Sequence, residues 1–109
     1  YEQALKISRE IGDRRGEGAD LGNLGIAYSD LGEPRKAIEF YELQLAIVRK
    51  IEDGRGEGNA LWNMSLSLDW LGNRAKAIEC AREALRKYEE IEDANAEMVR
   101  RTLKKWETS

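Results

Sequence analysis

The 109 residues contain no histidine and a single cysteine, Cys80. That removes the side chain that titrates near neutral pH and the ligand sets of zinc and iron–sulfur sites. It also removes nucleophile pairs of the Ser-His and Cys-His kind. No metal and no cofactor are expected, no catalytic residue is assigned, and the chain is not read as an enzyme. The 21 Asp and Glu residues supply many carboxylates, which read as solvated helix faces rather than as an acid–base pair. Gly16-Glu17-Gly18 is not a phosphate loop, because no strand pattern precedes it and no Gly-Lys-Ser/Thr ending follows. Cys80, beside Ile78 and Ala81, reads as a small hydrophobe rather than a reactive thiol. Arg100, Arg101, Lys104 and Lys105 cluster near Trp106, yet the net charge is −3. A nucleic-acid surface needs a basic excess, so the cluster reads as the solvated face of a last helix.

What is left is recognition chemistry. Trp62, Leu66 and Trp70 recur at i, i+4 and i+8, an apolar and aromatic ridge beside the stripe Leu61, Met64, Leu68 and Leu71. Asn23 and Asn63 share one phase, and a side-chain amide presents donor and acceptor together, as a peptide bond does. Packing of the tryptophans against adjacent helices, and a structural role for the asparagines between repeats, stand beside the binding reading.

The elements that carry these residues are amphipathic helices. Leu21, Leu24, Gly25, Tyr28 and Leu31 form one stripe of period 3.6, and Ala37, Ile38, Tyr41, Leu45 and Val48 form another. Gly32 suits the left-handed residue that ends a helix, and Pro34 suits the first turn of the next. Small Gly25 and Ala37 let the two backbones approach. The patterns predict helices over about Arg14–Leu31, Pro34–Glu52, Gly54–Leu71, Arg74–Glu92 and Ala94–Trp106. Asp13 is expected to cap the first of these, with Asp53 and Asp93 at the same phase and Asn73 capping the helix from Arg74. Tyr1, Ala4, Leu5, Ser8 and Ile11 form a stripe of their own, read as a separate helix. Leu24 is expected to pack between the helices of its hairpin and that preceding helix. Gly16, Gly18, Gly56 and Gly58 are expected where a helix packs tightly on its predecessor.

A shift of 40 residues carries Ile11 onto Ile51, and 15 of the 40 positions compared are then identical. Among them are Asp13, Arg15-Gly16-Glu17-Gly18, Leu21, Asn23, Leu31-Gly32, Lys36-Ala37-Ile38-Glu39 and Leu45. A fixed period of this size is the signature of stacked helical hairpins. Residues 1–109 read as one domain, divided at 1–12, 13–52, 53–92 and 93–109.

Leu21, Leu24-Gly25, Tyr28, Ala37 and Tyr41 resemble the signature of the tetratricopeptide repeat. The 40-residue period and the phrase Ile11–Gly18 are similar to the longer-helix subtype of kinesin light chains, Leu-Gly-Asn spindle adaptors and many prokaryotic arrays. The second repeat departs from it at Met64-Ser65, Leu68 and Ala81. The resemblance implies an all-α, right-handed solenoid of antiparallel helix hairpins, about two and a half repeats long. In that architecture the first helix of each repeat lines a concave groove. The groove residues are then Asn23 and Ile26, with Asn59, Trp62, Asn63, Leu66 and Trp70 from the next repeat. An asparagine at the phase of Asn23 and Asn63 is implied to bond the backbone of a bound extended peptide. Arg15 and Arg55, at one edge, would favour an acidic partner.

The expected function is therefore a non-catalytic scaffold for a protein or peptide partner. The alternative is a structural segment of a longer array that associates with itself. No window approaches 18 continuous apolar residues, so no membrane partner is expected, and no nucleic-acid partner either. With one cysteine no disulfide forms within the chain, and a cytoplasmic location is expected. The chain opens midway through a repeat, as a segment of a longer array would. Arg101, Lys104 and Lys105 fall on core phases of the last helix. That helix therefore either rotates to act as a cap or uses a different face. A rotation would bury Trp106 against the helix from Arg74 and leave a basic outer side. Head-to-tail association of the open ends, the last helix meeting Tyr1, Leu5 and Ile11 of another copy, is the expected consequence.

Overall fold

The computed structural model describes residues 2–108, with the side chains of residues 13–108. Five helices make up the described chain: α1 (Glu2–Asp30), α2 (Pro34–Lys50), α3 (Gly54–Trp70), α4 (Arg74–Glu90) and α5 (Asn95–Thr108). Each packs on its sequence neighbour, and α1 also touches α3. This is an all-α solenoid of stacked hairpins.

Local chemistry sets the turns. Gly32 and Gly72 take φ values of 81° and 86°, a left-handed conformation open to a residue without Cβ. Asp53 accepts the Gly56 N–H at 3.0 Å and Asn73 that of Lys76 at 3.3 Å, so both act as the expected caps. Asp93 instead accepts from Asn95 N–H at 2.8 Å, within the turn.

The expected break before Asp13 is absent. α1 runs unbroken from Glu2 to Asp30, so Asp13 lies inside a helix and caps none, and residues 2–12 continue α1. At the matching turns Glu52 and Glu92 adopt positive φ, 57° and 53°, which costs a residue that carries a Cβ. Those turns let α3 fold back on α2 and α5 on α4, burying apolar faces. A helix that continues gains one backbone bond per residue instead. Tyr1 and the side chains of Ala4, Leu5, Ser8 and Ile11 lie outside the described residues, and with them the expected end-to-end surface.

Packing between helices is a matter of matched sizes. A Cβ at Gly25 would lie 2.4 Å from Tyr41, and one at Gly58 would lie 2.8 Å from Tyr88. Three of the four glycines expected against a preceding helix do not meet one. Gly18 and Gly58 make room for the following helix of their own hairpin, Gly16 faces open space, and of the four only Gly56 meets the preceding helix, at Val48. The core holds Ala37, Tyr41, Leu45 and Val48 of α2, Ala60, Leu61 and Met64 of α3, and Ala81, Ala84 and Tyr88 of α4.

Leu24 is not in it. At 44% exposure, with Leu31 at 71%, it faces water, because no described helix lies where α2 lies against α3. Glu57, by contrast, is buried at 8% exposure. It accepts from Arg49 at 2.9 Å and pairs with Lys87 at 3.5 Å, tying α3 to α2 and α4.

α5 has rotated, the first of the two expected alternatives. It buries Ala96, Val99 and Leu103, while Arg100, Arg101, Lys104 and Lys105 are exposed. Trp106 is half-buried, stacks on Trp62 of α3 and receives Arg74 of α4 at 5.4 Å. Met98 faces outward at 43% exposure.

Candidate functional site

α1 and α3 touch side by side, and α2 packs on both. Two cavities of about 230 and 410 Å³ open there, and they share Ala19, Gln44 and Asn59 as lining. They form one groove with two ends. The smaller end brings together Asn23 and Ile26 of α1 with Asn59, Trp62 and Asn63 of α3. Their helical spacing explains the convergence: 62 and 63 lie three and four residues after 59, and 26 lies three after 23, so each set shares a helix face. Leu66 and Trp70 do not line this cavity. They lie farther along α3, 43% and 58% exposed.

Each member has a definable state. Asn59 accepts the hydroxyl of Tyr88 on its side-chain oxygen, and its NH2 is a donor on the groove side. Burial, and then the charge of Asp93, push the Tyr88 hydroxyl up to about 12, so it stays protonated and donating. Trp62 lines the groove and also packs on an adjacent helix, stacking on Trp106 with centroids 6.3 Å apart. Asn63 is half-buried and Asn23 exposed.

The larger end carries charge. Arg15 and Arg55 line it beside Asp53. Arg55 Nε donates to Asp93 at 2.8 Å, and the Asp53 carboxylate caps α3. Asp93 is held below the usual carboxylate range by the Asn95 backbone N–H and by Arg55. Arg55 is thus paired with an acid, and both arginines are exposed.

Gln44 escaped the sequence reading. It lies on the buried stripe of α2 at 7% exposure and lines both ends of the groove. Its side-chain oxygen is buried and accepts no hydrogen bond. A signal was available, since a shift of 40 places Gln44 over Ala84 and Gly22 over Trp62. The large and small residues have changed places at one packing position.

Other features carry less. A hollow of about 630 Å³ lies over the α1–α2 turn, lined by Pro34, Ile38 and Leu71, with no buried unpaired polar atom facing it. Cys80 is half-buried, and burial, with Glu83 and Glu79, pushes its thiol up, away from nucleophilic use. Among the described residues no group of three or more His, Cys, Asp or Glu is placed to hold a metal ion. Among them, too, no helix is long and apolar enough to cross a membrane.

The model of the tetratricopeptide repeat family matches residues 1–50. The match supports a tetratricopeptide repeat. Such repeats generally mediate protein–protein interaction or scaffolding and are typically non-catalytic. Outside the matched stretch, α3 and α4 carry the 40-residue copy of α1 and α2. No curated protein is matched by the chain.

Proposed function

We propose that the chain is a protein-interaction module that holds an extended peptide in the groove between α1 and α3. The observation that carries this reading is the convergence of three asparagine amides, Asn23, Asn59 and Asn63, with Ile26 and Trp62 on one cavity. Amides match the donor and acceptor of a peptide backbone, and half-buried aromatic surface is what anchors an interface. Leu66 and Trp70 extend the apolar contact along α3, and Arg15 favours a carboxylate at the other end. The test uses a positional-scanning library of capped octapeptides against the full chain. Trp62→Ala and Asn63→Ala should each weaken the selected peptide about tenfold or more, with helicity by circular dichroism unchanged. Unaltered affinity in both would place the partner elsewhere.

The exposed Leu24 of α1 and Leu31 of the turn after it favour a second role, in which another helical hairpin covers that face. Sedimentation over a wide concentration range should then show growth in mass. A strict monomer throughout would exclude association between copies.

A further inference from the structure

We infer that Gln44 sets the register of the bound peptide, its side-chain oxygen accepting one backbone N–H while Asn59 donates to a neighbouring carbonyl. The inference rests on the groove reading above and adds the ligand class: an extended peptide with an apolar side chain at Ile26 and Trp62, and a carboxylate toward Arg15. Three observations lead to it. Gln44 is more than nine-tenths buried, and its oxygen is a buried acceptor without a partner, a costly state in a folded protein. Its amide lies against the bare backbone of Gly22, where a Cβ would come within 2.8 Å of its nitrogen and 3.0 Å of its oxygen. It also stands at the junction of the two ends of the groove, with Asn59 as the polar side chain that shares that place.

The geometry suits a peptide group. Tyr88 occupies the oxygen of Asn59, so Asn59 offers a donor where Gln44 offers an acceptor. One residue of an extended chain presents both complements, an N–H and a C=O. The last torsion of a glutamine is soft, so Gln44 can turn its oxygen across Gly22 toward the groove without moving α2. The small Gly22 accounts for a large side chain at this position but not for a polar one, and the counterpart 40 residues on is Ala84. Ala84 is fully buried and brings no polar atom with it.

The probe is the octapeptide selected from the capped library, with each backbone nitrogen methylated in turn. Methylation at one position should weaken binding to the unaltered chain about tenfold. Gln44→Met should weaken the unmethylated peptide by a similar factor, with a melting temperature equal to or above that of the parent. In Gln44→Met the same methylation should then cost little, since the two changes remove one bond. If no single methylation near the apolar side chain matters, the inference fails, and that result needs no variant to fold. It fails also if Gln44→Met binds within twofold of the parent while Trp62→Ala does not, a result that leaves the groove intact. A peptide insensitive to Trp62→Ala and Asn63→Ala overturns the groove and this inference together.

Discussion

The hairpins α1–α2 and α3–α4 repeat one pattern, identical at 15 of 40 positions, and have different fates. Leu61 and Met64 of α3 are buried at 2% and 7% exposure, whereas Leu24, the counterpart of Met64, is 44% exposed. Glu57 is buried and joined to Arg49 and Lys87, whereas Glu17 meets Arg14 in an exposed pair at 3.6 Å. The residue types are not the cause. α3 has α2 on one side and α4 on the other, whereas among the described helices α1 packs on α2 and touches α3 only slightly. In a solenoid, burial belongs to the neighbour as much as to the residue, because each helix completes its core from the hairpin before it.

The comparison can be broken most sharply in the core. Met64→Ala should destabilise by about 2–5 kcal/mol. Leu24→Ala, on an exposed surface, should cost under about 1 kcal/mol. Denaturant melts of the two variants check it, and equal losses would mean that α1 is covered in solution.

A smaller effect tests the size matching. Gly25→Ala drives a Cβ into Tyr41 and should cost about 1–3 kcal/mol. Gly16→Ala, which meets nothing within 4 Å, should stabilise by about 0.4–1 kcal/mol through the unfolded chain. Opposite signs in thermal melts are the expected result.

Glu57→Gln should cost about 1–2 kcal/mol, because it removes a shielded carboxylate from two cations on neighbouring helices. Glu17→Gln should lie within about 0.5 kcal/mol of the parent. Raised salt should narrow the gap between them only slightly, since Glu57 is shielded from solvent.

The mildest test is pH. The Tyr88 hydroxyl is raised in the fold from 10.0 to about 12, so the unfolded chain ionises first. Stability is complete below pH 10 and falls as pH rises toward 12. Tyr41 is also raised, by burial first and by Asp30, so both hairpins weaken over this window. At the acid limb Asp93 is depressed. Its contribution is present above its ordinary value of 3.8 and is lost as pH falls through its lower folded value. Asp93→Asn should flatten that limb in a melting-temperature profile, and an unchanged profile would remove Asp93 from it.

How much of this could be read in the residues follows the same division. Helix ends were legible where their cause is local: Gly32, Pro34, Asp53, Gly72 and Asn73 carry the turn chemistry themselves. The rotation of α5 was legible too, since Arg101, Lys104 and Lys105 cannot line a core, and Ala96, Val99 and Leu103 do so instead. The exposure of Leu24 was not, for it depends on which helix lies across it. Nor was the continuity of α1 through Asp13, because a capping residue ends a helix only where the chain gains by turning back. Gln44 was hidden for another reason. The apolar stripe of α2 reads correctly around it, and one polar residue in a core phase is easily passed over. Only its exchange of size with Gly22, against Ala84 and Trp62, marks it.

The central claim is that a peptide lies between α1 and α3, and an NMR titration of the isotope-labelled full chain with the selected octapeptide tests it most directly. The side-chain amides of Asn23, Gln44, Asn59 and Asn63 and the indole N–H of Trp62 should shift together, saturating at one stoichiometric equivalent. Shifts confined to the exposed faces of α2 and α4, with these five groups unmoved, would contradict it.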